Sequence, residues 1–323
     1  MMLGNRVTVF SGTGFIGREV VNALSKAGYE ITVCARRPQR YRDFALYAKT
    51  KVVELASYDD AEALNRVLQG ADIVVNLTAD RLNGTEMVAL NDLVHVNQKI
   101  KAAMEHAGVK RVISLSQIGA SLNQESNDYL RQLGEVDALM HGTASAQVTI
   151  LRTSLLIGEK DDTTQRFVNQ LQRMDLLMVA NADTVVQPIW VRDFARALVS
   201  TIRNESTFGE KIEVAGEERL TLKELGELVA ELMQKEAVVF PMCTLNARIM
   251  AFLGPFAPIA SVSSSQLLML KADMISDADF SSQFGFVPGS LEWVMSNYAA
   301  PHHIRERYNF FRKEAKRNPD ELV

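Results

Sequence analysis

In the first half of the chain, apolar positions switch repeatedly between compact runs and a spacing of three to four residues, the mark of strands alternating with helices. Arg6–Phe10 reads as a short buried strand, and Ile16, Val20, Val21 and Leu24 then recur on one helical face until Gly28 stops the helix. Ile31–Ala35 and Lys51–Leu55 read as the next strands. Asp60–Gln69 reads as a helix closed by Gly70, and Asp72–Leu77 as a fourth strand. A long helix over Met87–Ala107 leads through Gly108 to a strand at Arg111–Ser116; Asp128–His141 reads as helical and Val148–Thr153 as the sixth strand. This alternation predicts an α/β fold, a Rossmann-type doubly wound parallel sheet under crossover helices.

After Arg152 the rhythm loosens. Val185–Val191 reads as a strand and Arg192–Arg203 as a helix, both part of the first domain if the sheet gains a seventh strand. Beyond Gly209 the composition shifts toward isolated helices, and Thr221 with Glu224 forms a capping box ahead of the amphipathic stretch Leu222–Gln234. The expected organisation is a nucleotide-binding domain over 1–205 and a smaller, mainly helical lobe over 206–323, to which 158–183 contribute. Ile249–Leu270 carries no charge over 22 residues, long enough to cross a bilayer. Gly254, Pro255, Pro258 and its serines argue against a spanning helix, so no transmembrane helix is expected. Two readings stand for that stretch: a buried segment of the second lobe, or a surface resting on a membrane or a partner. The tail His302–Arg317 is basic and helix-compatible, either a solvated face or further contact surface.

Charge narrows the function classes. With 35 basic against 39 acidic side chains the formal net charge is −4, which argues against nucleic acid as a partner, since phosphate-backbone affinity needs many Lys and Arg on one face. Cys34 and Cys243 lack metal-like spacing and fit a reducing compartment. Met1–Phe10 offers no signal-peptide pattern, so an unprocessed, cytoplasmic chain is the expectation.

The strongest chemical signal is the loop Ser11-Gly12-Thr13-Gly14-Phe15-Ile16-Gly17 between the first strand and the first helix. Gly12, Gly14 and Gly17 have the G-x-G-x-x-G spacing. The tight turn, the approach of a pyrophosphate and the packing of helix on strand each leave no room for a Cβ. The free N–H groups opening the helix then face the phosphates. The competing reading is three glycines that serve only a turn.

At the end of the second strand, where NAD-binding sites place an acid for the ribose 2′-hydroxyl, the sequence has Arg36-Arg37-Pro38-Gln39-Arg40 and no carboxylate. Guanidinium forks match a phosphate, so the loop should prefer NADP(H) over NAD(H), unless Arg36 and Arg37 are merely exposed loop residues.

These motifs carry a family resemblance. The loop Ser11–Gly17, Asn76-Leu77-Thr78, Asn97, Ser114-Leu115-Ser116, Tyr129 and Leu151-Arg152-Thr153 resemble the atypical and extended short-chain dehydrogenase/reductases. Within them the likeness is to the NADPH-binding accessory subunits of respiratory complex I and their bacterial relatives. Gln187–Val191 before Asp193 and the Leu220–Glu224 segment extend it over most of the chain. The resemblance implies that Asn76, Leu77, Thr78 and Ala79 line the ribose and diphosphate side of the cofactor and that Ser116 sits near the nicotinamide. Read without the family, they are residues at the carboxyl ends of parallel strands, where an open α/β sheet binds its ligand.

Reductases of this family place a Lys four residues after the Tyr, on one helix face, where the ammonium favours the phenolate. Here the residue four after Tyr129 is Leu133, and Arg131, two positions on, points away from that face. A tyrosine near its ordinary pKa of about 10 is almost wholly protonated at neutral pH, and making it ten times more acidic takes about 1.4 kcal/mol. Conventional alcohol dehydrogenation is therefore disfavoured, with Ser116 and Tyr129 as weak catalytic candidates. His95, His106 and His141 stand singly, no zinc-like cluster is visible, and G-x-S-x-G is absent.

The leading expectation is a structural or redox-sensing subunit, or an assembly factor, that holds NADP(H) and docks on a larger protein complex at a membrane surface, peripheral to the inner membrane. The rival is an NADPH-dependent reductase or epimerase-like enzyme on a small molecule. A third reading is a regulator that senses the NADP+/NADPH ratio.

Overall fold

The computed structural model describes residues 3–80, 92–242 and 264–299. Strands β1 (Arg6–Phe10), β2 (Glu30–Ala35), β3 (Thr50–Glu54), β4 (Ile73–Asn76), β5 (Arg111–Gln117) and β6 (Gln147–Thr153) alternate with helices α1 (Phe15–Lys26), α2 (Ala61–Leu68), α3 (Leu93–Ala107) and α4 (Asp128–His141). Later in the chain come β7 (Leu156–Ile157), α5 (Thr164–Arg173), β8 (Leu176–Ala180), β9 (Val185–Val186), β10 (Ile189–Trp190), α6 (Val191–Thr201), β11 (Lys211–Val214), β12 (Leu220–Thr221), α7 (Leu222–Leu232) and β13 (Val238–Met242). Seven parallel strands form the central sheet in the order β11-β6-β5-β4-β1-β2-β3. The direction in which successive strands are added reverses between β1 and β4, and the carboxyl ends of those parallel strands open the crevice expected of a doubly wound sheet. Every residue of β4 and β5 is buried, because helices cover both faces.

The start of the long helix expected at Met87 lies outside the described residues; its described part, α3, runs from Leu93. So do Cys243, the tail His302–Arg317 and most of Ile249–Leu270, of which only the short helix Ser264–Met269 and Leu270 are described. No described helix is long and apolar enough to cross a membrane.

Two expectations for the second half are corrected. Val185–Val191 does not supply a seventh strand. It forms β9, antiparallel to β12, and β10, parallel to β7, separated by Gln187 and by Pro188, which has no N–H to continue a ladder. The seventh strand is β11, whose Lys-Ile-Glu-Val is too short to show a period. Nor are the helices after Gly209 isolated, since β11 joins the central sheet and β13 pairs with β8.

Between β2 and β3 two short 3-10 turns, Pro38–Arg40 and Arg42–Leu46, replace a crossover helix. Phe44 anchors them in the core, flanked by the Tyr41 and Tyr47 rings, and Asp43 pairs with Arg18 of α1. The loop that carries Arg36 and Arg37 is thereby fastened beside the first helix.

Among the described residues Arg111 is the largest fully buried side chain. Its guanidinium donates to the carbonyls of Gln147, Thr201 and Ile202 and to the hydroxyls of Thr149 and Thr207 at 2.6–3.1 Å. Two of those carbonyls end α6, so the cation sits at the negative end of that helix dipole.

Candidate functional site

Steric contact shapes the loop after β1. A Cβ on Gly17 would stand 2.4 Å from the Gly12 carbonyl carbon, and one on Gly12 would stand 2.9 Å from Val9 Cγ1. The first turn of α1 therefore presses onto the loop at a distance only glycine allows. Ser11, which opens the turn, holds a left-handed φ of 55°, a conformation that costs a non-glycine residue and persists where the surroundings impose it. Thr13, Phe15 and Ile16 are buried.

Helix α1 begins with Gly14 as its cap, with no side-chain hydrogen bond there and no acid in its first turn. By contrast, α2, α4 and α7 are capped by Asp60, Asn127 and Thr221. The first N–H groups of α1 and the positive end of its dipole are left for an anion. This cradle fits a dinucleotide diphosphate.

The β4 end shows a polar knot. Asn76 Nδ2 donates to Asn97 Oδ1 at 2.7 Å, Thr78 Oγ1 donates to Asn76 Oδ1 at 2.8 Å, and Asn97 Nδ2 donates to the Leu93 carbonyl at 2.7 Å. Asn76, Leu77, Thr78 and Ala79 are all buried. The side chains of Asn76 and Thr78 thus hold the strand end in shape beside the end of β1, where the Leu77 N–H donates to the Phe10 carbonyl. Asn97 is the third member of this knot, reached from α3.

Arg36 and Arg37 follow the last residue of β2 and are exposed. Because β2 is the direct neighbour of β1, they stand at the same end of the sheet as the glycine loop.

Ser116 and Tyr129 line one crevice with Phe15, Asp80, Ser154 and Met269. Along α4, Tyr129, Leu133 and Asp137 succeed each other at intervals of four and share one stripe. Leu133 is completely buried. Asp137, two turns beyond Tyr129, pairs with Arg152 at 2.8 Å. Burial pushes its carboxyl above the usual range, while the Ser116 hydroxyl and the Arg152 guanidinium pull it back. Ser116 and Arg152 are direct neighbours across β5 and β6. The stripe that carries an ammonium in the reductases therefore carries leucine and then a buried carboxylate. Sequence reasoning missed Asp137, although its spacing of eight from Tyr129 was a signal.

Outside this crevice, burial raises Asp161 to about 6. Its carboxylate accepts from the N–H of Gly158 at 3.1 Å and of Thr164 at 2.6 Å, and the Thr164 hydroxyl is 2.8 Å from the Tyr298 hydroxyl. His95 sits at the surface, 2.8 Å from Asp59. Among the described residues no group of three or more His, Cys, Asp or Glu could hold a metal ion.

Comparison with known proteins agrees with this geometry. A family described as NAD(P)H-binding matches residues 12–205, more than half of the chain. The chain is 26% identical over 234 residues to the Arabidopsis thaliana protein named NADH dehydrogenase [ubiquinone] 1 alpha subcomplex subunit 9, mitochondrial, covering 71% of this chain and 58% of that one. It is 23% identical over 295 residues to the Rattus norvegicus protein of the same name, covering 88% and 77%. Among solved structures, an NADPH-dependent quinone oxidoreductase of Escherichia coli complexed with NADPH superposes with a TM-score of 0.73 at 17% identity, over 90% of this chain and 99% of that one. That likeness is one of fold.

Proposed function

The chain belongs to the NAD(P)H-binding family, and from that premise we propose that it is an NADP(H)-holding subunit or assembly factor of a larger, respiratory complex I-like assembly, built on an atypical short-chain dehydrogenase/reductase fold. In this reading the N–H groups after Gly12, Thr13 and Gly14, with Phe15, Ile16 and Gly17 opening α1, hold the diphosphate. The β4 end from Asn76 to Ala79 borders the ribose, and Ser116 and Tyr129 meet the nicotinamide. Arg36 and Arg37 take the 2′-phosphate and so favour NADP(H) over NAD(H). A bound nicotinamide would supply hydride chemistry.

One observation carries the preference for holding over turnover: Leu133, wholly buried, occupies the place one turn after Tyr129 where the family's ammonium stands. A leucine there cannot draw the phenol toward neutral pH, and the next ionisable group on the stripe is an acid. The relatives named as mitochondrial NADH dehydrogenase subunits support a larger complex as the docking partner; a cytoplasmic place peripheral to the inner membrane belongs to the same proposal.

Mass spectrometry of the nucleotide that co-purifies with the chain, together with affinity capture from solubilised membranes, tests the proposal. NADP(H) and subunits of a respiratory assembly are the expected finds. An empty crevice and free monomer would defeat it.

A second reading, an NADPH-dependent reductase or epimerase-like enzyme, is favoured by Ser116 and Tyr129 sharing one crevice. Substrate-dependent NADPH oxidation that disappears in Tyr129→Phe would establish it in place of the first.

A further inference from the structure

The short helix Ser264–Met269 ends in an unusual way. The last carbonyls of a helix have no partner within it and normally face water or a cap. Here side chains from elsewhere in the fold take them one after another. Asn181 Nδ2 donates to the Leu267 carbonyl at 3.0 Å, Asn127 Nδ2 to Leu268 at 2.9 Å, Gln117 Nε2 to Met269 at 3.1 Å, and Thr184 Oγ1 to Leu270 at 2.9 Å. One of these donors, Gln117, lines the crevice, and a second, Asn127, stands on the element that carries Tyr129. Gln117 follows Ser116 at the end of β5, and Asn127 caps α4 two residues before Tyr129. The segment is thus indexed to the same two elements that position Ser116 and Tyr129. What the clamp presents to the crevice is the buried side chain of Met269.

We propose that Met269 is the second lobe's contact to the nicotinamide ring of a bound dinucleotide, set in register by the four-donor clamp of Gln117, Asn127, Asn181 and Thr184. This rests on the NADP(H) reading above. A thioether is polarizable and packs favourably against an aromatic ring. The crevice it lines lies at the ends of β4, β5 and β6, the half of a doubly wound sheet opposite the β2 end and its arginines. Met269 therefore acts on the nicotinamide end of the ligand and leaves the adenosine end untouched.

Titration calorimetry on the full chain separates the two ends, using NADPH and adenosine 2′,5′-bisphosphate, which carries the 2′-phosphate end and no nicotinamide. Met269→Ala is expected to weaken NADPH by about three- to tenfold, the range of a sulfur–ring contact, with the bisphosphate unchanged. Met269→Leu keeps the volume without the sulfur and retains the fold if the alanine variant does not; it is expected to show a smaller loss of the same selectivity. Asn181→Ala, which removes one positioning donor, should move the NADPH to bisphosphate affinity ratio in the same direction. Unchanged or tighter NADPH binding in both Met269 variants, or equal weakening of both ligands, overturns the inference. If the unaltered chain binds neither ligand, the cofactor reading itself fails and this inference falls with it.

Discussion

Arg152 closes over Asp137 inside the fold: Nη2 lies 2.8 Å and Nε 2.9 Å from the same carboxylate oxygen, and the Asp137 side chain is 1% exposed. Removing one member of such a pair leaves an uncompensated buried charge, at a cost of about 3–5 kcal/mol. Arg152→Met is expected to destabilise the chain by about that much, and Arg152→Met with Asp137→Leu by clearly less. Urea unfolding of the two variants measures the difference.

Gly17 has no slack. With the Gly12 backbone 2.4–2.5 Å from any added Cβ, Gly17→Ala must push α1 off the loop and move the N–H groups that meet a diphosphate. At least a tenfold loss of NADPH affinity is expected, about 1.4 kcal/mol or more. Binding at unchanged affinity would mean that the loop does not hold the ligand.

Arg36→Ala with Arg37→Ala is expected to weaken NADPH about tenfold more than NADH, since charge-assisted hydrogen bonds to a phosphate are worth about 1.5–3 kcal/mol each. Parallel titrations with the two nucleotides read this out. Equal losses would remove these arginines from 2′-phosphate recognition.

Asp161 gives a pH signature. Burial lifts its folded pKa to about 6 from 3.8, so the folded state holds this proton more tightly than the unfolded chain does. The associated stability is present below about pH 4 and is lost as pH rises through 6. Asp161→Asn has no such proton to lose. Relative to the parent, it should gain about 2–3 kcal/mol between pH 4 and pH 7, measured by thermal or urea unfolding across that range. A pH-independent difference would mean an ordinary carboxylate.

Arg111 makes five hydrogen bonds and has no acid partner among the described residues, and burial lowers its pKa to about 10. Arg111→Met removes a donor from the carbonyls of Gln147, Thr201 and Ile202 and from the buried hydroxyls of Thr149 and Thr207, and a loss of about 3–5 kcal/mol is expected in urea unfolding. Arg111→Lys should recover only part, because an ammonium cannot span the same fork.

Features governed by local sterics or by short periodic runs are legible in the sequence. The order from β1 to β6 follows from apolar spacing, and the glycine loop from the need for atoms to pass where a Cβ cannot. Long-range pairing is not legible. Val238–Met242 contains Pro241 and finds its partner in Leu176–Ala180, far back along the chain, so nothing local marks it as a strand. Asn76 and Thr78 can be placed at the ligand side of β4, but their engagement with Asn97 depends on how α3 lies over the sheet. The donors that grip residues 267–270 are invisible for a simpler reason: their acceptors are main-chain oxygens, which every residue possesses.

That last fact bears on how the molecule can vary. An anchor made to peptide oxygens does not discriminate among the letters written at 267, 268 and 270, provided the backbone keeps its path. What constrains the side chains at 267 and 270 is therefore their burial in the fold, while the berth itself is supplied by Gln117, Asn127, Asn181 and Thr184, four polar residues spread over separate stretches of the chain.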